Sequence, residues 1–279
     1  MKRIVVGTDG SEGAANALRW ASRLAARVGA EVVAMTGFMP NDAELRPERV
    51  EVLLAEQEAQ LEGWSASARL GDVVVRTVVE RGDPRPGILA VAEREGADLV
   101  VVGRLGTSAG PGLFHVGSMA EWLAHHAEIP LAVIGGTVEL TIRSVLVGVD
   151  GSDGSRAALS FVRELRGDAD LRIVAASVEQ PLLEWTPADS PDNWRRGAER
   201  QIVDDFASEL TEAGIGVKAL ALRGSNVADA LLRAAKDETA DLVVVGTRGL
   251  GGFTGLRVGG VTLKALHRSD RPIVLVPPG

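Results

Sequence analysis

The stretch Gly246-Thr247-Arg248-Gly249-Leu250-Gly251-Gly252-Phe253-Thr254-Gly255-Leu256-Arg257-Val258-Gly259-Gly260-Val261 is dense in glycine and runs directly into an apolar-periodic segment. Backbone N–H groups without Cβ atoms beside them can close on an anion. A helix starting near Gly259 adds free N–H groups and the positive end of its dipole. The chemistry on offer is phosphate binding. A second stretch, Gly103-Arg104-Leu105-Gly106 followed at a distance by Gly117-Ser118, has the same form. In each half an aspartate closes the first strand-like run, Asp9 after Ile4-Val5-Val6-Gly7-Thr8 and Asp150 after Val145-Leu146-Val147-Gly148-Val149. Such an aspartate is placed to meet a base or ribose, and it also suits a helix cap or a turn. Arg248 and Arg104 stand in the two loops, where phosphate contact and plain solvation are both open.

Other chemistries fail on residues. The chain has no cysteine, hence no disulfide framework and no thiolate nucleophile or ligand. No G-x-x-x-x-G-K-[ST] occurs, and the turn Gly7-Thr8-Asp9-Gly10-Ser11-Glu12-Gly13 does not match G-x-G-x-x-G. No base–nucleophile pair or metal cluster accompanies either loop. His125 and His126 are adjacent and diverge around a helix, and His115 alone among the histidines lies in a loop of interest. A net charge of −8 without a basic stripe speaks against nucleic acid. Apolar runs are strand-sized, so no membrane span is expected. Residues 1–9 lack the apolar core of a secretion signal, and a cytoplasmic location is expected. Trp20 and Trp122 read as packing residues; Trp185 and Trp194 fall in a loop-like segment.

The elements that must position these loops are duplicated. Ile4–Ser11 reappears as Val145–Ser152, Ala97–Gly103 as Ala240–Gly246, and Ile129–Ile134 as Arg271–Val276. Three blocks in one order at a near-constant offset mean two copies, residues 1–138 and 139–279. In the first copy strands are expected at 2–8, 30–37, 72–80, 98–103 and 131–135, with helices at 12–28, 47–69, 84–95 and 117–127. Ser11 is placed to cap the first helix, whose Ala15, Leu18, Ala21, Ala25 and Val28 form an inward stripe. Strands buried on both faces and alternating with helices give an α/β fold: two tandem, doubly wound, Rossmann-like domains with five-stranded parallel sheets. Ligands of such sheets bind at the carboxyl ends of strands, where the strand order reverses.

On these motifs (V-G-x-D-G-S, A-D-L-V-V-V-G and G-T-R-G-L-G-G-F) the chain resembles the universal stress proteins in their tandem bacterial form. The resemblance covers both halves. It implies the adenine nucleotide alpha hydrolase-like variant of the fold and an adenine-nucleotide site with the signature G-x2-G-x9-G-[S/T]. It further implies halves that pair through their fifth strands as an internal pseudo-dimer, and a homodimer beyond it. The ligand implied is ATP, with Mg as its companion ion, in a stress-response regulator that is not an enzyme.

Carried over, the second copy supplies Gly246, Gly249 and Gly259 at the family spacing, with Arg248 and Val261 beside them. Gly260 stands where the family has a hydroxyl, and Val178 takes the adenine-facing position. The first copy supplies Asp9, Gly103, Gly106, Gly117 and the hydroxyl of Ser118, but ten residues rather than nine separate Gly106 from Gly117. Pro111 interrupts that loop, and Gly37 replaces Val178. The second copy is therefore the expected site. A slow ATPase and a nucleotide-free dimeric scaffold are the alternative readings.

Overall fold

The computed structural model describes residues 1–40, 46–68, 71–107, 116–135, 142–166, 171–180, 198–212, 214–250 and 257–279. The chain forms two compact units, Met1–Thr141 and Ile142–Gly279. The boundary expected at 138/139 falls outside the described residues.

The first unit runs β1 (Arg3–Gly7), α1 (Glu12–Val28), β2 (Glu31–Phe38), α2 (Pro47–Ala68), β3 (Val75–Arg81), α3 (Pro84–Glu95), β4 (Leu99–Gly103), α4 (Ser118–His126) and β5 (Leu131–Ile134). Its strands pair in parallel in the order β3-β2-β1-β4-β5. The second unit repeats the plan with β6 (Ser144–Gly148), α5 (Asp153–Arg166), β7 (Arg172–Glu179), α6 (Ala198–Glu212), β8 (Val217–Arg223), α7 (Val227–Asp237), β9 (Leu242–Gly246), α8 (Gly260–Arg268) and β10 (Ile273–Val276). Its parallel order is β8-β7-β6-β9-β10. The order reverses between β1 and β4, and between β6 and β9. Both loops of interest leave those strands.

The central strands are apolar without alternation because helices cover both faces. Val5, Val6, Leu99, Val100 and Val101 are fully buried, as are Val145, Leu146, Leu242, Val243 and Val244. Truncating Leu99 or Leu242 to alanine would cost about 2–5 kcal/mol. The aspartate of each A-D-L-V-V-V-G block has a local task. Asp98 Oδ2 accepts the N–H groups of Lys2 and Arg3, and Asp241 Oδ2 accepts those of Arg143 and Ser144. Each carboxylate thus sets the starting register of the neighbouring first strand.

Ser11 caps α1 as expected, its side chain accepting from Ala14 N–H at 3.1 Å. The buried stripe of α1 is centred on Ala14, Ala17, Leu18, Ala21, Leu24 and Ala25. Ala15 and Val28 are only half-buried, so the stripe lies slightly rotated from the one the spacing suggests. Gly29, at φ 70°, ends the helix in the left-handed conformation that glycine tolerates best. Trp20 is buried; Trp122 is half-buried and stacks on His126 with ring centroids 4.0 Å apart.

Candidate functional site

Each unit closes the end of its first strand with the same small frame. In the second unit Asp150 Oδ1 accepts Ser152 N–H at 3.0 Å, and Oδ2 accepts Leu250 N–H at 3.1 Å. In the first, Asp9 Oδ1 accepts Ser11 N–H at 3.0 Å. Asp9 Oδ2 accepts Thr107 N–H at 2.8 Å and its hydroxyl at 3.2 Å. The aspartates therefore stitch the strand-one turn to the strand-four loop. Partial burial alone would push the Asp9 carboxyl up, but the hydrogen bonds from Ser11 and Thr107 outweigh it and hold the group below its ordinary range.

Two glycines of each loop follow from this frame. A Cβ on Gly249 would stand 2.4 Å from Asp150 Oδ2, and one on Gly106 would stand 2.6 Å from Asp9 Oδ2. A Cβ on Gly246 would meet the Gly154 carbonyl carbon at 2.5 Å, and one on Gly103 the Gly13 carbonyl carbon at 2.6 Å. Here strand end and helix start touch backbone to backbone. The spacing Gly-x2-Gly thus has a packing reason in both units that needs no ligand. The far end of the second loop differs. Among the described residues, the nearest atom to a Cβ at Gly259 is Thr247 O at 3.6 Å, and around Gly260 there is nothing within 4 Å. Gly260 faces open space, and Gly259 has only an ordinary contact beside it.

That space is a cavity of about 410 Å³ at the carboxyl ends of β6, β7 and β9. Asp150, Gly246 and Gly249 border it on one side, and Val178, Ile202, Val227 and Leu231 give it an apolar wall. Gly259, Gly260 and Val261 bring the first turn of α8 to its rim. The N-cap of α8, Gly259, makes no side-chain cap hydrogen bond, so among the described residues the first-turn N–H groups have no intrahelical partner and no side-chain cap. Arg248 lines the same cavity, is exposed, and makes no ion pair among the described residues. A free guanidinium and an uncapped helix start share one wall, which suits an anion.

Asp150, Val178, Gly246, Arg248, Gly249, Gly259, Gly260 and Val261, all expected from the sequence, border this one cavity. Sequence reading missed Ser155, Ile202, Val227, Leu231 and Thr262, which come from helices α5 to α8. Only the helical periodicity of those segments pointed inward, and it does not separate core from cavity lining.

In the first unit the corresponding ground is built differently at two points. A Cβ on Gly37, the counterpart of Val178, would meet Pro84 Cβ at 2.6 Å. Val227, the counterpart of Pro84, lines the cavity. The Trp64 indole lies against Gly10, whose counterpart Gly151 has only Ile202 nearby, at 3.6 Å. Gly117 sits under Arg104 O, 3.1 Å from where its Cβ would be. Asp9, Gly103, Gly106, Gly117 and Ser118 do come together around that loop, with Ser118 exposed at the start of α4. Arg104 is not a solvated loop arginine. It is buried, its side chain packed where a Cβ on Gly135 would be. Its counterpart is the small, buried Thr247, which explains why the two arginines noted in the sequence have different surroundings. Pro111, His115, Trp185 and Trp194 lie outside the described residues.

Among the described residues no group of three or more His, Cys, Asp or Glu side chains is arranged to hold a metal ion. No described helix is long and apolar enough to cross a membrane.

Comparison with known proteins agrees across the whole chain. The model of the universal stress protein family matches residues 1–135 and again 141–277. Universal stress protein Rv2623 of Mycobacterium tuberculosis is 28% identical over 289 residues, covering 98% of this chain and 95% of the relative. A universal stress protein of Mycolicibacterium smegmatis is 26% identical over 299 residues, covering 99% and 97%. The crystal structure of a universal stress protein from Archaeoglobus fulgidus superposes with a TM-score of 0.68 at 18% identity, covering 99% of this chain and 98% of that one. At that identity the likeness speaks for the fold.

Proposed function

Because this chain belongs to the universal stress protein family, as a tandem of two domains, we propose that its second unit binds an adenine nucleotide, with ATP the leading ligand, and that nucleotide occupancy alters its partners or conformation in a stress response. One observation carries the reading. The cavity at the β6/β9 reversal joins an apolar wall, suited to a base, to the uncapped start of α8 and the unpaired Arg248, suited to phosphates.

In this reading Val178 and Val227 hold the base, and the N–H groups around Gly249, Gly260 and Val261 hold the phosphates with Arg248. Asp150 acts through the frame, since both its oxygens already accept N–H groups. It is the one carboxylate among the described lining residues, so Mg would enter coordinated by phosphate oxygens rather than by a protein cage. Asp150 and Arg248 are the only ionisable side chains in that lining. That composition supports a binding protein over an enzyme.

Calorimetric titration of the full chain with ATP in magnesium buffer tests the proposal. Saturable binding that weakens in Arg248→Ala supports it. A wild-type protein that binds neither ATP, ADP nor AMP overturns it.

A further inference from the structure

Thr262 is the third residue of α8, lines the cavity and is buried. Its hydroxyl donates to Gly246 O, the last carbonyl of β9, at 2.8 Å, with Thr247 O at 3.5 Å. Two main-chain bonds meet at the same place. Thr247 N–H donates to Val276 O, and Gly259 N–H donates to Thr247 O, each at 2.8 Å. The loop between β9 and α8 is thereby closed at its root, whatever path its middle takes.

The first unit has both main-chain bonds, Arg104 N–H to Ile134 O at 2.8 Å and Gly117 N–H to Arg104 O at 2.7 Å. It cannot make the third tie, because Ala120 occupies the position of Thr262. The extra bond therefore belongs to the unit whose cavity is described above. It also differs in kind from the hydroxyl lost at Gly260. The Thr262 proton is committed to a carbonyl, so the side chain has no donor left for an anion. What it fixes is the direction in which the Gly260, Val261 and Thr262 N–H groups leave the first turn of α8.

We propose that Thr262 is a positioning residue for the anion-binding start of α8, pinning it to the end of β9 so that its N–H groups are aligned before a ligand arrives. This rests on the nucleotide reading for its ligand and on the Thr262–Gly246 bond for its mechanism. Binding then avoids part of the ordering cost that a loose helix start would impose.

The test uses the full chain as wild type, Thr262→Val, which keeps the shape and loses the donor, and Thr262→Ser, which keeps the donor. Affinity for MgATP is read by calorimetry, and amide hydrogen exchange over residues 258–264 is read without nucleotide. Thr262→Val should bind about threefold to tenfold more weakly, the factor one net hydrogen bond is worth, and should exchange faster at the start of α8. Thr262→Ser should stay near wild type in both. A purely structural threonine would lower the urea midpoint in Thr262→Val with affinity unchanged, and that result overturns the proposal. So does a serine variant that falls as far as the valine one. Should wild type bind no nucleotide, the ligand reading fails by itself. Unchanged exchange in Thr262→Val would then reject the pinning independently.

Discussion

Gly249 lies so close to Asp150 that a Cβ at position 249 would stand 2.4 Å from the carboxylate Oδ2. The carboxylate cannot simply yield, because Oδ1 is held by Ser152 N–H and Oδ2 by Leu250 N–H. Gly249→Ala should therefore cost about 1–3 kcal/mol of stability, as overpacking does, and should also weaken nucleotide binding by shifting Leu250. Gly106→Ala creates the matching clash with Asp9 in the first unit. It should lose similar stability with affinity intact. Urea denaturation and calorimetry on both variants separate the two effects.

Gly260 offers the opposite opportunity. Among the described residues nothing lies within 4 Å of where its Cβ would be, and Ser118 already stands at the matching first position of α4. Gly260→Ser should restore a hydroxyl at the cavity rim and tighten ATP binding by about tenfold or less, the net value of one neutral hydrogen bond. The measurement is the calorimetric dissociation constant. A weaker constant would place the phosphates elsewhere.

Pro84 packs against Gly37 and Trp64 against Gly10 where the second unit has Val178 and Gly151 beside its cavity, and this difference predicts one nucleotide per chain, not two. Titration should give a stoichiometry near one. Arg248→Ala should reduce affinity by about tenfold or more, since a charge-assisted contact to phosphate is lost, and should flatten the salt dependence. Arg104→Ala removes a buried side chain, and should lower stability while leaving affinity alone.

The depressed Asp9 carboxyl makes a pH prediction whose sign is fixed. Its ordinary value is 3.8, and the folded value lies below that. The ionised group therefore stabilises the fold at full strength above about pH 4 and loses that contribution as pH falls through the folded value. Asp9→Asn cannot ionise. Its stability deficit against wild type, followed by urea melts, should be constant from pH 8 to about pH 5 and should shrink below pH 4.

Much of the fold was legible because the signals were local and repeated. The spans expected for β1, α1, α3 and β4 differ from those found by a residue or so, and the runs through Val5 and Leu99 mark strands covered on both faces. The start of β3 was less legible. Its expected beginning at 72 moves to Val75, the first residue in register with β2; the exposed Val74 joins only through its carbonyl, which accepts Val32 N–H at 3.0 Å. The site was legible only along the backbone signature. Glycines 246 and 249 drew notice as ligand glycines, yet their spacing answers to Gly154 and Asp150. Thr262, Ile202 and Val227 were invisible for a physical reason. Each reaches the cavity through helix packing over long sequence distances, which no short motif encodes. Arg104 was misread because its burial depends on Gly135, thirty-one positions away, leaving room for the guanidinium stem.

The backbone-to-backbone junctions Gly103–Gly13 and Gly246–Gly154 need no cavity side chain to hold them. A duplicated gene built this way carries a chassis that survives when one copy's cleft is relined. Selection can then rework the lip at positions 259–261 and the wall at 178 and 227 without risking the scaffold. The first unit is what such freedom leaves behind: the same frame, kept intact, with proline packed against Gly37 and tryptophan against Gly10.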